Sequence, residues 1–302
     1  MGLGHDHGAT SLGEAHRARL WIALAIAAAI MAAEIVGGLL TNSLALLSDA
    51  AHMGTDALGI AMALAAITAV RRAAAHPRRT FGMYRLEVLA ALANAALLLG
   101  VAAWVLSEAV GRFAEPPDVK SLPMLITAAI GLVANAVSLS MLRAGAKESI
   151  NVRGAYYEVL GDLLSSVGVI AAAAIIMTTG WWYADPIIAV AVSLFILPRA
   201  LRLGRDALRI ILQTAPPHID VVAVSESLKS VTGVRDAHDL HVWTLTSGMD
   251  VASAHLALEP GHELADVLAE ARARLERDYG ISHATLQIEP ADAEEVCATP
   301  SW

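Results

Sequence analysis

The stretch LALLSDAAHMGTDALGIAMALAA, Leu44 to Ala66, decides the fold class. Its apolar residues run on long enough for a membrane-spanning helix, which needs about 20 residues. Yet Asp49, His52 and Asp56 stand near its middle. A charged group at mid-bilayer costs several kcal/mol unless something compensates it, so an ionisable residue at that depth is a functional-site hypothesis. His52 and Asp56 are spaced i, i+4 and therefore share one helical face.

The rest of the chain sorts around this stretch. The 302 residues are 56% hydrophobic and 17% charged, with a mean hydropathy of +0.57, whereas a soluble domain carries about 25% charged residues. The deficit is concentrated between residues 20 and 200. Six spans are predicted: Leu20–Leu40, Leu44–Val70, Leu86–Phe113, Leu122–Leu142, Ala155–Thr179 and Ile187–Leu203. No cleavable signal is expected, because the first 16 residues lack a basic-then-apolar pattern. The formal charge of -8 argues against a nucleic-acid partner. One cysteine, Cys297, excludes a disulfide framework and a cysteine-based zinc module.

Basic residues orient the spans. Arg17 and Arg19 precede the first; Arg71, Arg72, Arg78, Arg79 and Arg85 lie between the second and third. Arg143, Lys147 and Arg153 separate the fourth and fifth, and Arg202, Arg205 and Arg209 follow the sixth. The alternation predicts an integral membrane protein with both termini cytoplasmic. Trp21, Trp181, Trp182 and Tyr183 sit at span ends, as an aromatic belt requires.

The fifth span carries a second i, i+4 pair, Glu158 and Asp162. At about 1.5 Å per residue, His52 and Asp56 lie roughly 12 and 18 Å below the outer surface. Glu158 and Asp162 lie roughly 9 and 15 Å from the inner one. Both pairs thus reach the middle of a hydrocarbon core about 30 Å thick. Imidazole plus carboxylates suits a divalent transition metal, and a bound dication offsets the cost of burying the acids. Asp49 is an accessory candidate, either a relay or outer-vestibule charge or a partner in an interhelical hydrogen bond; Glu34, Asn94 and Asn135 read as packing polars.

The segments NSLALLSDAAHMGTDALG, RRTFGMYRLEVLAAL, NVRGAYYEVLGDLLSSVGVI and HDLHVWTLTSG resemble the cation diffusion facilitators, in particular their zinc-exporting bacterial branch, from about Leu20 to Pro290. The resemblance implies a homodimer in the lipid bilayer that exchanges Zn²⁺ for protons by alternating access, with Cd²⁺, Co²⁺, Mn²⁺ or Fe²⁺ as alternative substrates. It places His52, Asp56, Glu158 and Asp162 on the four transport-site positions. Zinc-exporting relatives usually have histidine where this chain has Glu158, giving one imidazole and three carboxylates, a harder set that widens the acceptable metals. His52 and one carboxylate are the expected proton carriers.

Beyond residue 205 the composition becomes that of a soluble domain. A helix follows Pro216-Pro217, two strands flank Ser247-Gly248, an amphipathic helix ends at Gly280, and SHATLQIEP forms a last strand. The order αββαβ predicts a cytoplasmic ferredoxin-like domain. The fold class is thus six transmembrane helices plus α+β. Its expected domains are a histidine-containing tail over 1–19, a membrane domain over 20–204, a regulatory and dimerisation domain over 205–290 and a tail over 291–302. The family resemblance implies a regulatory zinc site from His238, His255, His283 and Glu289. His262 and His76 are weaker accessory candidates, and His5, His7 and His16 make a short histidine-containing tail of a kind that either captures metal or is inert.

The function these readings favour is proton-coupled metal export, not enzyme catalysis. No HExxH pair is present. The alternative is a membrane-anchored sensor that binds metal through the soluble domain without flux.

Overall fold

Long runs of Ala, Leu, Ile and Val fold here as helix, the conformation that satisfies every backbone group within one segment. The computed structural model describes residues 7–73, 79, 81–143 and 150–290. Its six long helices are α1 (His7–Thr41), α2 (Leu44–Ala73), α3 (Arg85–Ala114), α4 (Ser121–Arg143), α5 (Ile150–Thr179) and α6 (Ala184–Ile211). All six are long and apolar enough to cross a membrane, yet only 18–44% of each most apolar window is buried by protein. Faces such as those bearing Leu39, Val110 and Val133 therefore need an apolar solvent.

The two largest departures from the sequence expectation are at helix ends. Helix α1 begins at His7, ahead of the apolar run, and α6 continues past Leu203 to Ile211. The second extension ends in a local cap. Gln213 adopts φ 55°, and the N–H groups of Gln213 and Thr214 bond back to the carbonyls of Ile210 and Arg209.

The described residues form two compact units, Met1–Ala61 with Ala93–Arg202 and Met62–Leu92 with Leu203–Trp302. In the first, α4 packs against α1 and α5. One buried carboxylate organises the start of α2. Asp185, in the first turn of α6, accepts from the Ser43 hydroxyl (2.5 Å) and from the N–H groups of Leu44 (2.7 Å) and Ala45 (3.2 Å). These are orphan donors of a helix N-terminus, and an acid there is favoured by the dipole. Arg112, near the end of α3, donates to the Asn42 carbonyl at 2.6 Å and lies 3.5 Å from Asp185.

Helices α5 and α6 run antiparallel and meet at glycines. A Cβ on Gly168 would stand 3.3 Å from Ile188, and one on Gly161 would stand 3.8 Å from Phe195. Glu158 and Arg199 follow in the same register.

The second unit contains a three-stranded sheet in the order β1-β2-β3. Helix α7 (Val221–Lys229) precedes β1 (Val234–Thr246); β2 (Met249–Leu258), α8 (Leu264–Tyr279) and β3 (His283–Glu289) follow. Asp220 caps α7 by accepting from the N–H groups of Val222 and Ala223. Ser247 and Gly248 turn β1 into antiparallel β2, with Gly248 at φ 76°. Through α8, β3 returns parallel to β2. Leu228, Val242, Leu256, Val267, Leu275 and Ile281 form the core between sheet and helices.

Candidate metal centres

In the membrane unit, the i, i+4 spacing on α2 brings His52 Nε2 to 3.5 Å from Asp56 Oδ2. The Thr55 hydroxyl donates to the His52 carbonyl at 2.8 Å. The other imidazole nitrogen, Nδ1, is buried without a hydrogen-bond partner. On α5, Asp162 is 5% exposed and Glu158 half-buried. The set can offer a divalent cation one nitrogen and several carboxylate oxygens.

The four do not close on one point. A guanidinium stands among them instead: Arg199 Nη2 donates to Glu158 Oε1 at 2.9 Å, and Nη1 lies 3.8 Å from Asp56 Oδ2. Arg199 did not enter the sequence reading, which followed hydropathy through the sixth span and weighed only basic residues beyond it. The signal was the one applied to Asp49, an ionisable residue inside an apolar run.

Asp49 is fully buried, and neither of its carboxylate oxygens has a hydrogen-bond partner. Glu34 is also buried, at 1% exposure. Its Oε1 lies against Gly131, 3.1 Å from where a Cβ would be, with Ser166 Oγ 3.5 Å from the same point. The Asn135 amide nitrogen is buried without a hydrogen-bond partner. Gly59 of α2 meets Asn94 so closely that a Cβ would come within 2.6 Å of its amide.

The soluble unit assembles a tighter group. Among the described residues, His238, His255 and Glu289 are the one set of three or more potential ligands whose donor atoms all lie within 4.8 Å of one another. Register explains the meeting. His238 on β1 is directly opposite His255 on β2, and Ala257 of β2 is opposite Glu289 of β3. The Glu289 carboxylate lies between the imidazoles, 3.0 Å from His255 Nδ1 and 3.3 Å from His238 Nε2. The rings are edge-to-face with centroids 5.6 Å apart.

Outer contacts orient this group. Asp236 Oδ2 lies 3.4 Å from His238 Nδ1, and Asp239 Oδ2 lies 3.8 Å from His255 Nε2. Asp239 sits in a register shift between His238 and His241 with φ 48°, a conformation tolerated by aspartate better than by most side chains. Two imidazoles and a carboxylate fit a borderline divalent ion such as zinc, with carboxylates behind the histidines as metal sites favour.

Other candidates lie elsewhere. His283 is exposed at the first residue of β3, paired with Val251 at the opposite end of the strand from Glu289. Gln287 is the residue beside His255. The His262 ring packs on Gly233, where a Cβ would come within 2.8 Å of it; Gly233 also has φ 91°. His76 and His5 lie outside the described residues.

Six apolar helices carrying buried carboxylates, followed by a small mixed sheet, define an integral membrane cation carrier. The chain belongs to the cation efflux family. The family's "Cation efflux transmembrane domain" matches residues 20–212, and its "Cation efflux protein, cytoplasmic domain" matches residues 216–291.

The chain is 44% identical to the "Metal cation efflux system protein CzcD" of Cupriavidus metallidurans, over 99% of this chain and 93% of that protein. It is 40% identical to the "Zinc transporter ZitB" of Escherichia coli K12, over 96% and 93%. Its identity to the "Cadmium, cobalt and zinc/H(+)-K(+) antiporter" of Bacillus subtilis is 36%, over 96% and 92%.

Proposed function

We propose that this protein exports Zn²⁺ from the cytoplasm in exchange for protons, through a site formed by His52, Asp56, Glu158 and Asp162. The observation that carries the reading is the pairing of ionisable residues on α2 and α5 inside the membrane unit, with a buried imidazole nitrogen that lacks a partner. A metal bond would recover the free energy that such an orphaned group costs. The names of the relatives, which mention zinc, cadmium and cobalt, support this substrate class, and one name supports coupling to protons. His52 and a neighbouring carboxylate carry the counter-flowing protons in this reading.

The functional domains run over 20–204 for transport and 205–290 for regulation and homodimerisation, with both termini cytoplasmic. Cytoplasmic zinc binds His238, His255 and Glu289 and biases the membrane helices toward loading. Because those three donors already converge, a second reading is a sensor that binds metal without flux.

Zinc uptake into proteoliposomes separates the two. Uptake by the wild type that disappears in Asp162→Ala, while the soluble domain still binds zinc, is the expected result. Equal uptake by both proteins would overturn the assigned site, and no uptake by the wild type would favour the sensor.

A further inference from the structure

We infer that Arg199 is a tethered counter-ion of the membrane site, competing with the metal for Glu158 and setting how readily the metal leaves. The inference rests on reading His52, Asp56, Glu158 and Asp162 as the transport site. Its basis is the 2.9 Å contact to Glu158 and the 3.8 Å approach to Asp56, through which one guanidinium from α6 bridges carboxylates on α5 and α2.

Position follows from packing. Ile188 beside Gly168 and Phe195 beside Gly161 give the register of α6 along α5, and in that register Arg199 falls beside Glu158. Pro198 immediately precedes it inside the helix. Proline removes a backbone donor and loosens the preceding turn, so the segment carrying the guanidinium is locally deformable. The Arg199 side chain is 52% exposed, whereas those of Asp56 and Glu158 are 11% and 28% exposed. The cation thus has an open side toward which it can withdraw, as long basic side chains do in membranes.

Charge gives the contact its purpose. Asp56, Glu158 and Asp162 carry three formal negative charges when ionised, one more than a dication neutralises. Arg199 supplies the missing positive charge. A histidine at position 158 would remove both the surplus charge and the arginine's main partner, so Glu158 and Arg199 act as a compensated pair. A carboxylate oxygen bonded to the guanidinium is not free to coordinate fully. Metal entry therefore weakens the Arg199–Glu158 contact, and its re-formation assists metal release. A carrier needs this balance, because a site that binds without competition holds its cargo.

The test is Zn²⁺ uptake by the full-length protein in proteoliposomes, measuring KM and kcat for Arg199→Gln. KM should fall by at least about fivefold, the lower end of typical coupling between two sites, and kcat should fall with it because release slows. In a Glu158→His background the same substitution should lower KM by a clearly smaller factor, since only the approach to Asp56 remains. An unchanged or raised KM in Arg199→Gln, or an equal fall in the Glu158→His background, would overturn the proposal. Should Arg199→Gln fail to fold, Arg199→Lys serves. Its shorter reach breaks the contact to Glu158, so KM should fall by a smaller factor, and an unchanged KM again refutes the idea. Wild-type uptake that is lost in Asp162→Ala establishes the underlying site independently, so the two failures are distinguishable.

Discussion

The membrane and soluble units solve the same problem in opposite ways. Each gathers histidine and carboxylate side chains from separate elements. On the sheet, imidazoles and carboxylate turn toward one another at 3.0–3.3 Å. Between helices, His52 stands beside Asp56, and a guanidinium bridges Asp56 and Glu158. The difference lies in charge and solvent. The sheet group sets two imidazoles among Glu289, Asp236 and Asp239 at a partly exposed surface, while a surplus of acids in a low-dielectric region demands a cation.

The largest effect that could break this contrast is in the membrane. Asp162→Ala should reduce zinc uptake to that of protein-free vesicles, with zinc binding by the soluble domain intact; residual uptake near wild type would remove Asp162 from the site. Next, Glu289→Ala should weaken zinc binding in the soluble domain by about 10- to 100-fold, as loss of a positioned metal contact does. Transport at saturating zinc should persist, which equilibrium binding and uptake measured side by side would check.

Glu158→His sharpens the chemistry. Replacing a hard oxygen by an imidazole should shift preference toward Zn²⁺ over Mn²⁺ by about tenfold in a competition series that also includes Co²⁺ and Cd²⁺. Unmoved selectivity would remove position 158 from the selectivity ligands. The smallest effect belongs to residues the sheet leaves outside the group. His283→Ala and His262→Ala should change zinc affinity in the soluble domain by no more than about twofold, the scale of ordinary surface substitutions. A tenfold loss in either would place it among the ligands.

Much of this was legible in the sequence because helical and strand periods translate directly into faces. The i, i+4 spacing of His52 with Asp56 and of Glu158 with Asp162 is one such translation. The alternation around His255, the turn at Ser247-Gly248 and the stop at Gly280 are others. What stayed hidden depends on pairing between elements. Only the parallel register of β3 decides that Glu289, and not His283, comes to the two histidines. The shift at Asp239, which carries a second carboxylate toward His255, has no periodic signature. Arg199 was hidden for another reason. Its neighbours Leu197, Pro198, Ala200 and Leu201 read as the end of a span, whereas the helix continues for three further turns to Ile211. Its importance shows only when α5 is seen beside it.

The Asp185 network at the start of α2 and α6 has a mechanical meaning. Helices α2 and α6 both start from that carboxylate, so the helices bearing Asp56 and Arg199 are pinned together at one end. From the pin, Asp56 is about 18 Å along α2 and Arg199 about 21 Å along α6, at about 1.5 Å per residue. These are two levers of nearly equal length on a common fulcrum. A tilt of about 5° between them would change the separation of their far groups by roughly 2 Å, enough to make or break an ion pair.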